Sequence, residues 1–393
     1  MSETVHAVET ASQKIAQFVA GFDLADAPEE AIGLTETALI DTVGVMLAGS
    51  QEPAARIVSE MIAAEGADGR ATVVGRALRT SAQNAALANG TATQALDFDL
   101  SYMIGQSAAP IIPGLLPLAE TTGARAEEVI SAFVVGCEVC GRLARAIPTL
   151  SSEGRWHGSG VLGALSAAAA FARLTALPAD AVVNVIGISA SLASGISENF
   201  GTMTKPLHPG NAARNGMVAA FLGARGFTAS PTALDGPSGF LPLFGRGLGW
   251  DTQPFDDLGE RFYLLDPGYK IKPFSCGGLL HTAIEAALEL REAAEPRAGE
   301  IARITVGTTR HTLQRAIDRY PWSEDSSRFS FKYLIPHVIL RGAPTLDTFS
   351  EAAIDDDQLR ALGARVEMTL DEEFAELSGS GYSPNRITIA FEN

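Results

Sequence analysis

The sequence predicts a mainly α protein: a large all-α helical domain over residues 1–265, then a smaller α+β lid domain over residues 266–393. Three observations predict it. From about residue 11 to residue 230, apolar residues recur at intervals of three and four, the period of a helix with one buried face. Past residue 265, three short segments alternate apolar and polar residues as half-buried strands do. Hydrophobic residues make up 46% and charged residues 19% of 393 positions, enough apolar surface for more than one core.

Taken in order, residues 12–22 put Ile15, Phe18 and Val19 on one helical face, and residues 34–48 repeat that spacing. Residues 80–97 are Ala-rich, which favours a helix, with Ser81 as the N-cap. Residues 126–147 form a long amphipathic pattern. Gly158–Leu174 is apolar almost all round and is expected to be a central buried helix. Ala179–Leu192 and residues 211–225 complete the helical half, where no alternating strand stands out. Residues 235–266, rich in Gly, Pro and aromatic side chains, read as an irregular connector. Beyond them, residues 302–308, 364–370 and 386–392 are the strands, with helical patterns at 278–293, 329–340 and 355–362. The acidic run Asp355–Asp357 fits a solvated first helical turn.

Twenty-nine basic against 46 acidic residues leave a net charge of −17, which argues against nucleic acid or an anionic membrane as partner. No apolar run is expected to reach the roughly 18–20 residues of a membrane span. Residues 161–172 are too few, and residues 108–119 are interrupted by Pro110, Pro113 and Pro117. The N-terminus lacks a basic segment followed by an apolar one, and three cysteines make no disulfide framework, so the cytoplasm is the expected compartment. Of the 29 cationic side chains only five are Lys: Lys14, Lys205, Lys270, Lys272 and Lys332. An ammonium is a compact charge whose pKa shifts readily, and a guanidinium is neither, so Lys kept in an Arg-rich chain points to sites that need it.

Four stretches place polar residues among Gly, Pro and apolar neighbours. Residues 95–102 carry Asp97 and Asp99 at a helix end; two residues apart on a helix they face different ways, so one is expected in a site and capping or solvation accounts for the other. Residues 154–160 set His157 between glycines before a buried helix, where helix N–H groups favour anions and a neutral imidazole. Residues 200–216 crowd Lys205, His208, Asn211 and Arg214 ahead of a helix start near residue 211, donors suited to a carboxylate. Residues 269–281 carry Lys270 and Lys272, one expected to face inward and one outward, then Cys276 and His281. Cys276 reads as a buried thiol, and the pair Cys137 and Cys140 lacks the further ligands zinc wants.

In this order these stretches resemble the MmgE/PrpD family. The motifs that carry the likeness are IDTVGVMLAG at 40–49, NGTATQALDFD at 89–99, Trp-His-Gly at 156–158, GTMTKP at 201–206, Lys272 with His281, and RFSFKY at 328–333. The family includes 2-methylcitrate dehydratase, cis-aconitate decarboxylase and iminodisuccinate epimerase. The resemblance implies a homodimer and an active site between the domains that uses no metal and no organic cofactor. It places Asp97, Ser101, His157, Lys205, Lys272 and Tyr333 in the site. With the neighbouring donors added, Asp97, His157 and Tyr333 are expected to be catalytic, and Lys205, Lys272, Ser101, Gln106 and His208 to surround a small polycarboxylate. Lys205 and Lys272 then form a two-cation clamp closed by the lid, and alanine at either is expected to leave the fold intact.

Two departures accompany the likeness. Leu100 and Ser101 replace an Asp-Thr, and Gln106 and Ser107 stand where the family has His-Pro. Glutamine exchanges no proton at neutral pH. The chain ends soon after Phe391, so the family's C-terminal return to the helical domain is expected to be absent. The expected function is a lyase of the 2-methylcitrate dehydratase type, moving a proton next to a carboxylate. The alternatives are an epimerase of an iminodisuccinate-like acid, a cis-aconitate-type decarboxylase, or a silent polycarboxylate-binding paralogue.

Overall fold

The computed structural model describes residues 9–66, 69–102, 108–148, 150, 155–245, 249–375, 377 and 383–392. Helices dominate it, with small sheets, so the fold is mainly α with a smaller α+β part. The helical part begins with α1 (Ala11–Gly21), capped by Thr10, then α2 (Glu29–Gly49) and α3 (Pro53–Glu65). A hairpin of β1 (Ala71–Val73) and β2 (Leu78–Thr80) follows; it is too short to show the alternation that sequence reading relies on. Next come α4 (Ala82–Ala95), capped by Ser81, the two-residue β3 (Ser101–Tyr102), α5 (Ala108–Thr122) and α6 (Ala126–Ala146). Then α7 (Gly158–Leu174), α8 (Ala179–Leu192), α9 (Thr204–Gly223) and the short α10 (Phe240–Gly245) complete it.

The prolines at 113 and 117 do not break the apolar run there: α5 passes through both, and its buried face includes them. Helix α7 is buried along Gly158–Ala172, as its all-round apolarity requires. α9 starts seven residues earlier than the expected 211, because Pro206 sits in the first turn, where no backbone N–H is needed. One helix, α2, is long and apolar enough to cross a membrane by length and composition, contrary to the expected absence of such a run; here it packs against α4 and α6.

The connector is less irregular in its role than in its composition. Phe240, Leu241, Phe255, Phe262, Tyr263 and Leu264 all lie in the core of the helical part. Arg142 of α6 is fully buried and anchors this segment, donating to the carbonyls of Pro254, Asp257 and Arg261 at 3.0, 2.9 and 2.8 Å and pairing with the Asp257 carboxylate. After it, β4 (Tyr269–Lys270) pairs antiparallel with β3, Ser101 opposite Lys270 and Tyr102 opposite Tyr269. A second core starts at Cys276. It is covered by α11 (His281–Ala294) and α14 (Phe331–Arg341) against a three-stranded sheet. In that sheet β5 (Ile301–Thr308) lies between β6 (Val366–Leu370), parallel to it, and β7 (Asn385–Phe391), antiparallel. Short helices α12 (Arg310–Arg315), α13 (Glu324–Ser327), α15 (Glu351–Ile354) and α16 (Asp357–Gly363) join β5 to β6, and Asp356 caps the last of them.

Candidate active site

The site is built on the end of α4. The chain leaves the helix through Asp97 in the left-handed region, φ 49°, a conformation that costs most residues about 1 kcal/mol or more and that Asp tolerates better than most. Its side chain is buried, and both carboxylate oxygens are taken. Lys205 Nζ donates to Oδ2 at 2.6 Å; Lys272 Nζ donates to Oδ1 and, at 2.8 Å, to the Asp97 carbonyl. Two elements deliver these cations. Lys205 is in the first turn of α9, which crosses α4 so closely that a Cβ on Gly90 would stand 2.6 Å from Gly210 Cα. Lys272 follows β4, and the β3–β4 pairing carries it back to the end of α4. Lys272 is the buried one of the two lysines there and Lys270 the exposed one.

The electrostatics follow from burial. Burial alone would raise the Asp97 carboxyl, but the Coulombic pull of Lys205 and Lys272 reverses this and holds it well below the usual carboxylate range. Burial and then the charge of Lys272 push the Lys205 ammonium down, against the pull of Asp97. Lys272 is opposed by burial too, yet Asp97 and Asp99 hold it above its ordinary value. Asp99 is fully buried, accepts from Gln94 Nε2 at 3.3 Å, and has no partner for Oδ1 among the described residues. Burial pushes it up to about 6, against the pull of Lys272 and Lys205. Both aspartates are therefore buried in the site's surroundings, where the sequence left one of them to solvent or capping.

His157 is the N-cap of α7 and is 4% exposed. Its Nδ1 lies 3.0 Å from Nδ1 of His208, which is one turn after Lys205 on α9. Burial first, then Lys205 and His208, push His157 well below its ordinary value; burial and Lys205 push His208 down to about 4. Both rings are neutral at neutral pH. An apolar wall closes this side. Phe200 meets the His157 ring edge-on at 5.1 Å and packs tilted against Phe329 at 5.6 Å, and Lys205 Nζ stands 5.9 and 5.4 Å from the Phe200 and Phe329 centroids. Arg315, from α12, reaches the Trp156 carbonyl at 3.4 Å and stands 5.9 Å from the Phe200 ring. Arg328 and Ser275 bind the Leu96 carbonyl at 3.2 and 2.6 Å, which fastens the second core to the end of α4.

Of the residues expected in the site, Asp97, Lys205, Lys272, His157 and His208 converge. Ser101 lies on β3 beside them, with its hydroxyl facing Gly278. Gln106 lies outside the described residues. Tyr333 does not join the cluster. It is fully buried in the second core, its hydroxyl donates to the Thr348 carbonyl, and its ring packs on Tyr320 and His337. In the stretch RFSFKY it is Arg328 and Phe329 that reach the site. Phe200 and Asp99 also lie in the stretches singled out, but Phe200 is not named there and only one of the two aspartates is expected in the site. Arg315 carries no signal in the sequence, since an isolated Arg after a strand looks like any surface cation.

A family model described as the MmgE/PrpD N-terminal domain matches residues 13–253. One described as the MmgE/PrpD C-terminal domain matches residues 274–392. The chain belongs to the MmgE/PrpD family. Among curated MmgE/PrpD relatives, the cis-aconitate decarboxylase of Homo sapiens is 27% identical over 374 residues, covering 92% of this chain and 77% of the relative. The cis-aconitate decarboxylase of Aspergillus terreus is 26% identical over 401 residues, covering 94% and 80%. A cis-aconitate decarboxylase-like protein of Aspergillus oryzae is 27% identical over 375 residues, covering 89% and 77%. Decarboxylases are lyases, so the family function to which this chain is tied is of lyase type.

Proposed function

We propose that the protein is a lyase acting next to a carboxylate of a small di- or tricarboxylate, drawing on its own side chains for the chemistry. The names of its relatives put decarboxylation of cis-aconitate ahead of dehydration of 2-methylcitrate. The observation that carries the reading is Asp97 held between Lys205 and Lys272, with neutral His157 alongside. Lys205, Lys272 and Arg315 set against Asp97 and Asp99 leave a surplus positive charge in a buried place, which attracts a substrate carboxylate. In the reaction, the bond to the departing carboxyl breaks and its electron pair stays on the substrate carbon. The resulting negative charge spreads onto the neighbouring carboxylate, where the ammoniums stabilise it as it forms. His157 supplies the proton that ends on carbon. Phe200 and Phe329 keep bulk water off the cations, which strengthens each of these interactions.

The assay is incubation with cis-aconitate and, separately, with 2-methylcitrate in D2O, following products by NMR and CO2 by trapping. The expected outcome is CO2 and a five-carbon dicarboxylate bearing one solvent deuteron. Loss of water from 2-methylcitrate with cis-aconitate untouched would reassign the reaction to dehydration, and consumption of neither acid would overturn the lyase reading.

A further inference from the structure

His157 and His208 approach through like atoms, Nδ1 to Nδ1, at 3.0 Å. Neutral imidazoles at that distance are joined by one proton: one ring donates N–H and the other offers its lone pair. The contact is prepared by the backbone. His157 N–H donates to the Gly195 carbonyl at 3.0 Å, which orients the residue at the head of α7. Two glycines make room for the other ring. A Cβ on Gly160 would lie 3.2 Å from His208 Cβ, and one on Gly195 would lie 3.2 Å from Cγ and 3.3 Å from Nδ1. Gly195 also has φ 127°, a conformation that side-chain-bearing residues rarely adopt. The two rings differ in what surrounds them. His157 is buried under Phe200 with Lys205 and Arg315 nearby, and Asp97 is its favourable counter-charge. His208 is only part-buried and faces Lys205. A positive charge therefore rests more cheaply on His208 than on His157.

We propose that His208 is a positioning residue for His157 and the outlet through which the site exchanges its proton with solvent. The proposal rests on reading the site as a proton-transfer lyase. With the shared proton on His157 Nδ1, its Nε2 carries a free lone pair. When Nε2 takes a proton from a substrate C–H, the electron pair of that bond stays on carbon. The Nδ1–H bond of His157 then breaks as an Nδ1–H bond of His208 forms. His157 ends neutral with its proton on Nε2, and His208, now charged, releases a proton from its own Nε2 to water. Protonation of a substrate carbon runs the same bonds in reverse, with His208 drawing its proton from water.

Two measurements test this on the full chain. In the first, histidine-15N-labelled protein without substrate is examined by NMR. The expected spectrum has one protonated and one bare Nδ1 coupled across the hydrogen bond, lost in His208→Asn; two uncoupled Nδ1 atoms would overturn the pairing. In the second, turnover of cis-aconitate is compared for the natural protein and His208→Asn, whose amide keeps a hydrogen bond to His157 but carries no proton. The expected loss is about 10²-fold in kcat with KM nearly unchanged, largely restored by added imidazole, which leaves the natural protein unaffected. Unchanged kcat, or a loss confined to KM, would overturn the relay. If the natural protein leaves cis-aconitate untouched, the lyase reading fails while the NMR arm still decides the pairing.

Discussion

Removing either lysine that meets Asp97 leaves a buried carboxylate short of a charged donor. Each lysine therefore serves the buried Asp97 as well as a ligand, so alanine at 205 or 272, expected to leave the fold intact, carries a cost in stability. Lys205→Ala and Lys272→Ala are each expected to lower stability by about 1–3 kcal/mol, the cost of an unmet charged hydrogen bond. Adding Asp97→Asn is expected to recover part of that loss by removing the charge itself. A double-mutant cycle in urea checks this, and strictly additive losses would refute the coupling. Asp99 carries a prediction of opposite sign. Its carboxyl is raised to about 6, so between roughly pH 4 and 6 the folded state binds more protons than the unfolded one. Stability then falls as pH rises through that window, by roughly 2–3 kcal/mol for a shift of this size. Asp99→Asn is expected to melt higher than the natural protein at pH 7.5 and to match it near pH 4.5; a variant less stable at both would show that Asp99 is needed ionised.

Among the elements, the crossing of α4 and α9 decides the geometry of the site. Gly90 and Gly210 bring the two backbones together, and the same crossing sets Lys205 on α9 against Asp97 just past α4. Gly90→Ala is expected to cost about 1–3 kcal/mol by overpacking. It should also lower activity more than a substitution of equal cost remote from this crossing, because it lifts the ammonium from the carboxylate. Chemical denaturation paired with the cis-aconitate assay measures both; lost stability with unchanged turnover would separate the crossing from the site. The start of α9 was misplaced in the sequence because Pro206 and Pro209 read as loop punctuation. Pro209 does forgo the bond to the Lys205 carbonyl that a helix would make there, and the packing of α9 on α4 and α7 outweighs that loss.

At the scale of the whole molecule, the outer face of α2 and α3 exposes Ile40 at 76% and Leu47, Ile57 and Met61 at close to half. Among the described residues, nothing outside the helix's own turn stands within 4 Å of where a Cβ would lie on Gly33 or Gly44 of α2, so that face is open there. Large apolar side chains exposed on successive turns of a helix mark a candidate contact surface. We propose that it pairs two copies into a homodimer through the helical part. Light scattering at micromolar concentration is expected to give twice the 41.1 kDa chain mass, and Ile40→Asp with Leu47→Asp to give the single mass. A natural protein that runs as a monomer would remove the proposal.

The local signals in the sequence determined the elements. Helical periodicity located α7 and α8 to the residue, alternation located β5, β6 and β7 to within two residues, and Ser81 marked the start of α4. These are legible because period and capping are properties of neighbours in the chain. The motifs that resemble the family also named Asp97, His157, Lys205 and Lys272 before any geometry, and the crowding of donors in residues 200–216 named His208. What only the tertiary structure decided is which groups meet. Asp97 shares one carboxylate between lysines 108 and 175 residues away, and His208 faces His157 across 51 residues. It also decided that Tyr333 turns into the second core while Phe329, four residues earlier, closes the site. Such meetings depend on helix crossings and strand pairing over long loops, and the direction of a side chain near a domain seam is set by what packs on it, which no local pattern records.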